Sequence, residues 1–216
     1  MAQRRSSRSR RRQAPGAAER WLLLIGVVAF VVIAAGVMGP WRPEKVVPNL
    51  PEPMSMAEAR ASNARVPIEA RRWLPPIRYR FRGGPAERAQ ATECLATAAL
   101  YEAGDDRPGQ RAVIQVILNR VRAPGFPRTI CGVVYQGSSR VTGCQFSFTC
   151  DGSIRRRTIH WGWGGARRAA REALAGRVYR PVGRATHYHT DWMVPYWRDT
   201  MVKVAKVRTH LFYIRA

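Results

Sequence analysis

The sequence predicts a mainly α (α+β) domain with a short β element, set behind one membrane-spanning helix and a Pro-rich linker. Three observations predict it. Apolar residues recur at helical spacing between Ala86 and Arg122. An uncharged run of eighteen residues, Trp21 to Met38, precedes them. Between the two, Pro40 to Pro85 holds nine of the chain's fifteen prolines. At 216 residues and 46% hydrophobic composition, the chain suffices for one folded domain plus an anchor.

Residues 1–20 carry seven Arg and one Glu, a basic tail that cannot bury a core. The run at 21–38 is long enough to cross a bilayer. The Arg-rich flank before it places the tail in the cytoplasm and the remainder outside. A cleaved signal peptide usually ends a shorter apolar region at a small-x-small site. Here Ala34-Ala35-Gly36 lies inside the run, so an uncleaved signal anchor is expected. Residues 39–84 then read as a semi-rigid stalk. Met54 to Arg65 could form a short helix within it, and Trp73 to Ile77 and Tyr79 to Phe81 could dock on the adjoining domain. Gly83-Gly84-Pro85 marks the boundary, and the folded domain is expected over 85–216.

Within that domain Ala86 to Ala103 reads as a helix stopped by Gly104. Asp105 to Pro108 reads as a surface loop. Gln110 to Arg122 is a second helix, apolar on most sides and so central to the core. Thr129 to Gln136 is too short for periodicity to separate helix from strand. Phe146 and Phe148 alternate with polar residues, which suggests a short strand. Gly165 to Gly176 reads as an Ala-faced helix. The C-terminal part is rich in aromatics.

The candidate chemistry starts at Glu102. Leu95, Ala98, Ala99 and Glu102 fall on one face of the first helix, and that face is apolar. A carboxyl in apolar surroundings keeps its proton to higher pH and can act as a general acid, whereas one at the frayed end of the helix simply faces water, and the pattern alone leaves both readings open. Glycoside cleavage needs such an acid at the leaving oxygen. A hydrolase typically adds a second carboxylate, for which Asp151 is a candidate, with a turn before Gly152 as its structural alternative. A single acid suffices if, once deprotonated, it takes the proton of the sugar's own 6-hydroxyl.

Net charge is +23, nearly all from Arg, which suggests a polyanionic partner: nucleic acid, an anionic membrane or an anionic wall polymer. The four Cys all lie beyond the apolar run, where an even set reads as disulfides. Of the three possible pairings, Cys144–Cys150 with Cys94–Cys131 ranks first. His187 and His189 share one face if they lie on a strand and could hold zinc with a third ligand from His160, His210 or an acid. No Cys-x-x-Cys or Cys-x-x-His spacing supports a metal.

Several stretches, taken together, resemble one family. They are Cys94-Leu-Ala, Tyr101-Glu102-Ala103, Gly109-Gln110, Leu118-Asn119-Arg120-Val121 and Thr129 to Gln136. Cys144 to Ser147, Cys150-Asp151-Gly152, Ala185 to His189, Pro195 with Trp197, and His210 with Phe212-Tyr213 complete the set. The domain resembles the SleB-type cell wall hydrolases, relatives of spore-cortex-lytic enzymes, in the Cys-bearing form of Gram-negative bacteria. The resemblance implies a lysozyme-like and resuscitation-promoting-factor-like catalytic domain. It implies cleavage of the glycan backbone of peptidoglycan, by lytic transglycosylation in the spore enzymes, with Glu102 as the essential acid. The chain departs from the family after Glu102. The usual Glu-Ala-Arg-Gly-Glu-Pro gives way to Glu102-Ala-Gly-Asp-Asp-Arg-Pro, with Gly104 in place of the Arg and a different spacing before Gly109-Gln110, and Asp106 is the nearest substitute for the second carboxylate.

With the resemblance, Gln145, Phe146, Asp151, His187, Tyr188 and His189 are candidate substrate contacts, and Asn119 is structural. No metal or cofactor is implied. Peptidoglycan is the expected partner, with the inner membrane engaged through residues 21–38 and the domain in the periplasm. Nucleic acid need not be invoked. A zinc amidase on His187 and His189, or a non-catalytic wall-binding domain, are the alternatives.

Overall fold

The computed structural model describes residues 16–37, 54–140, 143–156 and 161–216. The basic tail to residue 15, much of the linker, and His160 lie outside the described residues. The chain divides into two compact units, Met1–Glu52 and Pro53–Ala216.

In the first unit, helix α1 spans Ala17–Val37. Its segment Ala17–Gly36 is long and apolar enough to cross a membrane, and Leu22 to Ile33 expose their large side chains. A helix apolar on all sides with its side chains exposed suits lipid as its solvent.

The second unit opens with helix α2, Met56–Arg65. Ser55 starts it with a capping box. Its hydroxyl accepts the Glu58 N–H, and Glu58 reaches back to the Ser55 N–H. Helices α3 (Pro85–Ala103) and α4 (Arg107–Arg122) follow. Gly104 ends α3 at φ +54°, a conformation that suits glycine, and its N–H closes the helix on the Leu100 carbonyl at 2.8 Å. The surface loop expected at 105–108 is shorter than that. Helix α4 begins at Arg107 because Pro108 fits a first turn, where no N–H partner is needed. Short helices α5 (Ile130–Val134) and α6 (Ser153–Arg156) precede α7 (Trp163–Leu174).

Three strands finish the chain: β1 (His187–Thr190), β2 (Met201–Val207) and β3 (His210–Arg215). They form an antiparallel sheet ordered β1-β3-β2. Helix α3 packs against α4, α5 and α7 around Leu95, Ala98, Ala99, Val113 and Ile117, all fully buried. The other side of α4, through Ala112 and Val116, packs on Val182, Ala185, Val204 and Phe212. Helix α4 thus joins the helical layer to the sheet, as its nearly all-round apolar sequence requires.

Two expectations differ from the structure. The segment Cys144–Cys150 is not a strand. It turns through a short 3-10 helix at Ser147–Thr149, with both phenylalanines buried. A disulfide joins its ends with Cα atoms 6.4 Å apart, whereas a strand of that length would separate them by roughly 20 Å. The second disulfide is Cys94–Cys131, tying α3 to α5. The other difference concerns the stalk. Residues 54–84 belong to the compact unit rather than standing off from it. Buried Asn63 donates to the carbonyls of Asp191 and Met193, while its own carbonyl accepts the Lys203 ammonium. Arg198 donates to Ser62 and Asn63. The Glu69 N–H bonds the Lys203 carbonyl, and the Arg184 N–H bonds that of Leu74.

Candidate active site

Glu102 sits in the last turn of α3, where the apolar face of the helix reaches the sheet. Tyr188, on β1, donates its hydroxyl to Glu102 Oε2 at 3.0 Å. Burial raises the proton affinity of Glu102, opposed by the Tyr188 hydrogen bond and then by the charge of Arg120. Burial and the adjacent carboxylate hold the Tyr188 phenol well above its ordinary range.

Arg120 completes the group from α4. It is 3% exposed. Its Nε donates to the Thr186 carbonyl at 2.6 Å. Its guanidinium lies 5.4 Å from the Phe126 ring, 5.5 Å from Phe146 and 5.9 Å from Tyr188. Burial depresses it to about 10, against the favourable charges of Tyr188 and Glu102. One terminal nitrogen, Nη1, is buried with no hydrogen-bond partner. The sequence reading gave Arg120 no role of its own. The available signal was an arginine inside an otherwise apolar helix, since such a charge is rarely buried without partners.

The strand places its three neighbouring candidates on two faces. Tyr188 faces Glu102. His187 and His189 face the other way, against Trp197 at 5.4 and 5.5 Å. His189 is buried, with Nε2 2.8 Å from the Tyr213 hydroxyl and Nδ1 2.9 Å from the Thr190 carbonyl. Both of its ring nitrogens are therefore occupied within the sheet. His187 is half-buried beside Phe126, with Nδ1 against the Thr186 hydroxyl. Burial, then the charges of Arg120 and Arg215, push it down to about 4. Among the described residues no group of three His, Cys, Asp or Glu is placed to hold a metal ion.

The remaining candidates surround this centre or lie apart from it. Phe146 is buried under Arg120 and against Phe148, which stacks on Tyr101 at 4.8 Å. Gln145 is half-buried beside it, its N–H bonded to the Gln136 carbonyl. Asp151 is exposed and accepts the Ser153 N–H at 2.7 Å, and hydrogen bonds from the Ser153 side chain and then its N–H hold the carboxyl low. That is the geometry of a turn residue starting α6. Asp106 precedes α4 and lies 3.8 Å from the Arg208 guanidinium. Asn119 donates to the carbonyls of Gly183 and Ala185, fixing the chain just before β1. His210, buried on β3, meets the Tyr188 ring in a T-shaped contact at 5.6 Å. Its backing of Tyr188 depends on the β1–β3 pairing, which periodicity did not reveal.

Fold and site define a class: a small, mainly helical domain with a three-stranded sheet, built around one acid at a helix end. The profile of the Cell Wall Hydrolase family matches residues 104–213, half of the chain. The spore cortex-lytic enzyme of Halalkalibacterium halodurans is 32% identical over 122 residues, covering 56% of this chain and 33% of that protein. That of Bacillus cereus is 30% identical over 122 residues, covering 56% and 42%. The chain thus spans between a third and a half of the length of these curated relatives. Among solved structures, the catalytic domain of the germination-specific lytic transglycosylase SleB from Bacillus anthracis is 28% identical. The match covers 62% of this chain and 100% of that one, with a TM-score of 0.48. The chain belongs to the cell wall hydrolase family.

Proposed function

We propose that this protein cleaves the glycan strand of peptidoglycan as a lytic transglycosylase, at the β-1,4 bond from N-acetylmuramic acid to N-acetylglucosamine. The observation that carries the reading is the half-buried Glu102 carboxyl at the end of α3, with the Tyr188 hydroxyl upon it and its proton affinity raised.

Glu102, protonated, donates to the bridging oxygen as the bond to muramic C1 breaks. The proton and the electron pair of that bond leave with the glucosamine 4-hydroxyl. Charge develops at C1 in an oxocarbenium-like state. Glu102 is now a carboxylate. It accepts the proton of the muramic 6-hydroxyl as that oxygen closes on C1, forming a 1,6-anhydro ring and restoring the acid. No water is consumed, and one carboxyl serves both steps. Tyr188 and Arg120 assist the first step, because each favours the ionised form that Glu102 takes as it gives up its proton, while burial restores its basicity for the second. Asp151, committed to its turn, is not needed.

Helix α1 supports a single-pass anchor, with the domain outside the cytoplasm against the wall. A cell wall family is consistent with that side of the membrane.

Mass spectrometry of the products released from purified peptidoglycan tests the proposal. Fragments ending in 1,6-anhydro-muramic acid, absent with Glu102→Gln, would support it. Reducing ends would mean water as the acceptor, and free stem peptides would overturn the glycan reading.

A further inference from the structure

A second concave site adjoins the first. A cavity of about 540 Å³ is lined by Arg71, Arg72, Arg184 and Arg215 around Phe126 and Thr186, and no acidic side chain is among its walls. None of these four arginines forms an ion pair among the described residues. Four like charges around one hollow repel one another, and an anion is what such an arrangement lacks.

The arginines are placed by structure. Arg71 and Arg72 come from the 3-10 turn Ala70–Arg72, held on β2 by the Glu69 N–H to the Lys203 carbonyl at 2.8 Å. Arg184 is fixed by its N–H to the Leu74 carbonyl and by Nε to the Pro75 carbonyl, both at 3.1 Å. Gly183 lets the chains approach closely there, since a β-carbon would strike Trp73 and Leu74. The docked segment 54–84 therefore supplies two of the four charges. Phe126 and Thr186 connect the cavity to the acid site, as the ring and the carbonyl that hold Arg120.

We propose that this cavity is a carboxylate subsite, which binds the peptide stems carried by the muramic residues of the strand. The assignment rests on the proposed glycan cleavage and names what the enzyme recognises beside the scissile bond. Stem peptides are rich in free carboxylates, and they branch from the sugar that Glu102 acts upon. Arg guanidinium is the side chain best shaped for carboxylate, and four of them within one hollow can engage several at once. A concave site next to the acid suits a branch of the substrate better than the face of a lipid bilayer.

The test compares native peptidoglycan with peptidoglycan whose carboxyls have been amidated, using the full chain in neutral detergent. With wild type, amidation should raise KM about tenfold and leave kcat little changed, as loss of uniform binding requires. The double variant Arg71→Gln/Arg184→Gln should show the higher KM on both substrates. Equal KM for wild type on the two substrates would overturn the subsite. If wild type releases nothing from either, the cleavage reading fails instead. Sedimentation with sacculi then decides the subsite alone, since binding lost on amidation and in the double variant supports it. Binding unchanged by either overturns it.

Discussion

Tyr188 on β1 and Glu102 at the end of α3 meet in a hydrogen bond of 3.0 Å, which links the sheet to the helix at the candidate acid. The bond works against the burial that raises Glu102. A donor on a carboxylate stabilises the ionised form. Tyr188→Phe should therefore raise the pKa of Glu102 further and move the basic limb of the pH–rate profile upward. We expect kcat to fall roughly tenfold to a hundredfold, the loss of one oriented donor in a buried site. A rate profile from pH 4 to 9 checks this, and an unmoved limb would detach Tyr188 from the acid.

Glu102→Gln keeps shape and removes the proton. The rate should fall by three orders of magnitude or more, on the order of 4 kcal/mol of barrier. Thermal unfolding should change little, because an amide still accepts from Tyr188. Fragment release measured beside circular dichroism separates the two effects. Substantial residual turnover by a folded Glu102→Gln protein would move the acid elsewhere.

Much of this centre was legible because it depends on local spacing. The apolar face of α3 puts Leu95, Ala98 and Ala99 in the core and carries Glu102 to its rim. The same periodicity gave α4 its central place. What periodicity could not reveal was pairing at a distance. Lys203 and Asn63 are far apart in sequence, yet one donates to the other's carbonyl and pins α2 to β2. The prolines of residues 39–84 read as a spacer, because proline rigidity reads the same in a free stalk and in a segment laid along a surface. The hairpin of β2 and β3 was likewise hidden: Lys203 and Lys206 interrupt the apolar run of β2 without an alternating pattern, although Lys203 is buried. Arg120 was missed for the same reason, its aromatic partners arriving from three separate parts of the chain.

Arg120→Met removes the buried cation while keeping much of its stem packing. Glu102 loses a charge that favours its ionised form, so its pKa rises and the basic limb of the rate profile moves up, as with Tyr188→Phe. The two changes should not add, since both act on one carboxyl within one contact group. A double-mutant cycle on the position of the limb checks the coupling. Full additivity would mean that Arg120 and Tyr188 act on Glu102 independently, and a limb unmoved by Arg120→Met would leave Arg120 a role in folding alone.

The two disulfides should differ in what they contribute. Cys94–Cys131 closes 37 residues and Cys144–Cys150 closes 6. By loop entropy the first restrains the unfolded chain by about 4 kcal/mol and the second by about 2 kcal/mol. Paired Ala substitutions should lower Tm more for Cys94/Cys131. The Cys144/Cys150 pair should instead act on turnover, because its loop carries Phe146 beneath Arg120. Urea titration and initial rates on both variants test the division. The reverse order of stability would show that strain or residual unfolded structure outweighs loop length.

His187 gives the fold a dependence on acid. In the folded state it titrates at about 4, held down by burial and by Arg120 and Arg215, while in the unfolded chain it titrates near the ordinary value of about 6.5. Between those values the unfolded state binds the extra proton, so stability rises with pH across this window. The contribution is intact above about 6.5 and lost as pH falls towards 4. Buried His189 and His210, also held low, act in the same direction. Glu102, raised when folded, acts in the opposite one. Substituting His187→Gln subtracts a single group from this balance and leaves the others common to both proteins. The slope of Tm against pH between 4.5 and 6.5 should be shallower in the variant, with the two curves converging in shape above pH 7. Parallel curves throughout would show that His187 keeps its ordinary affinity for protons in the folded protein.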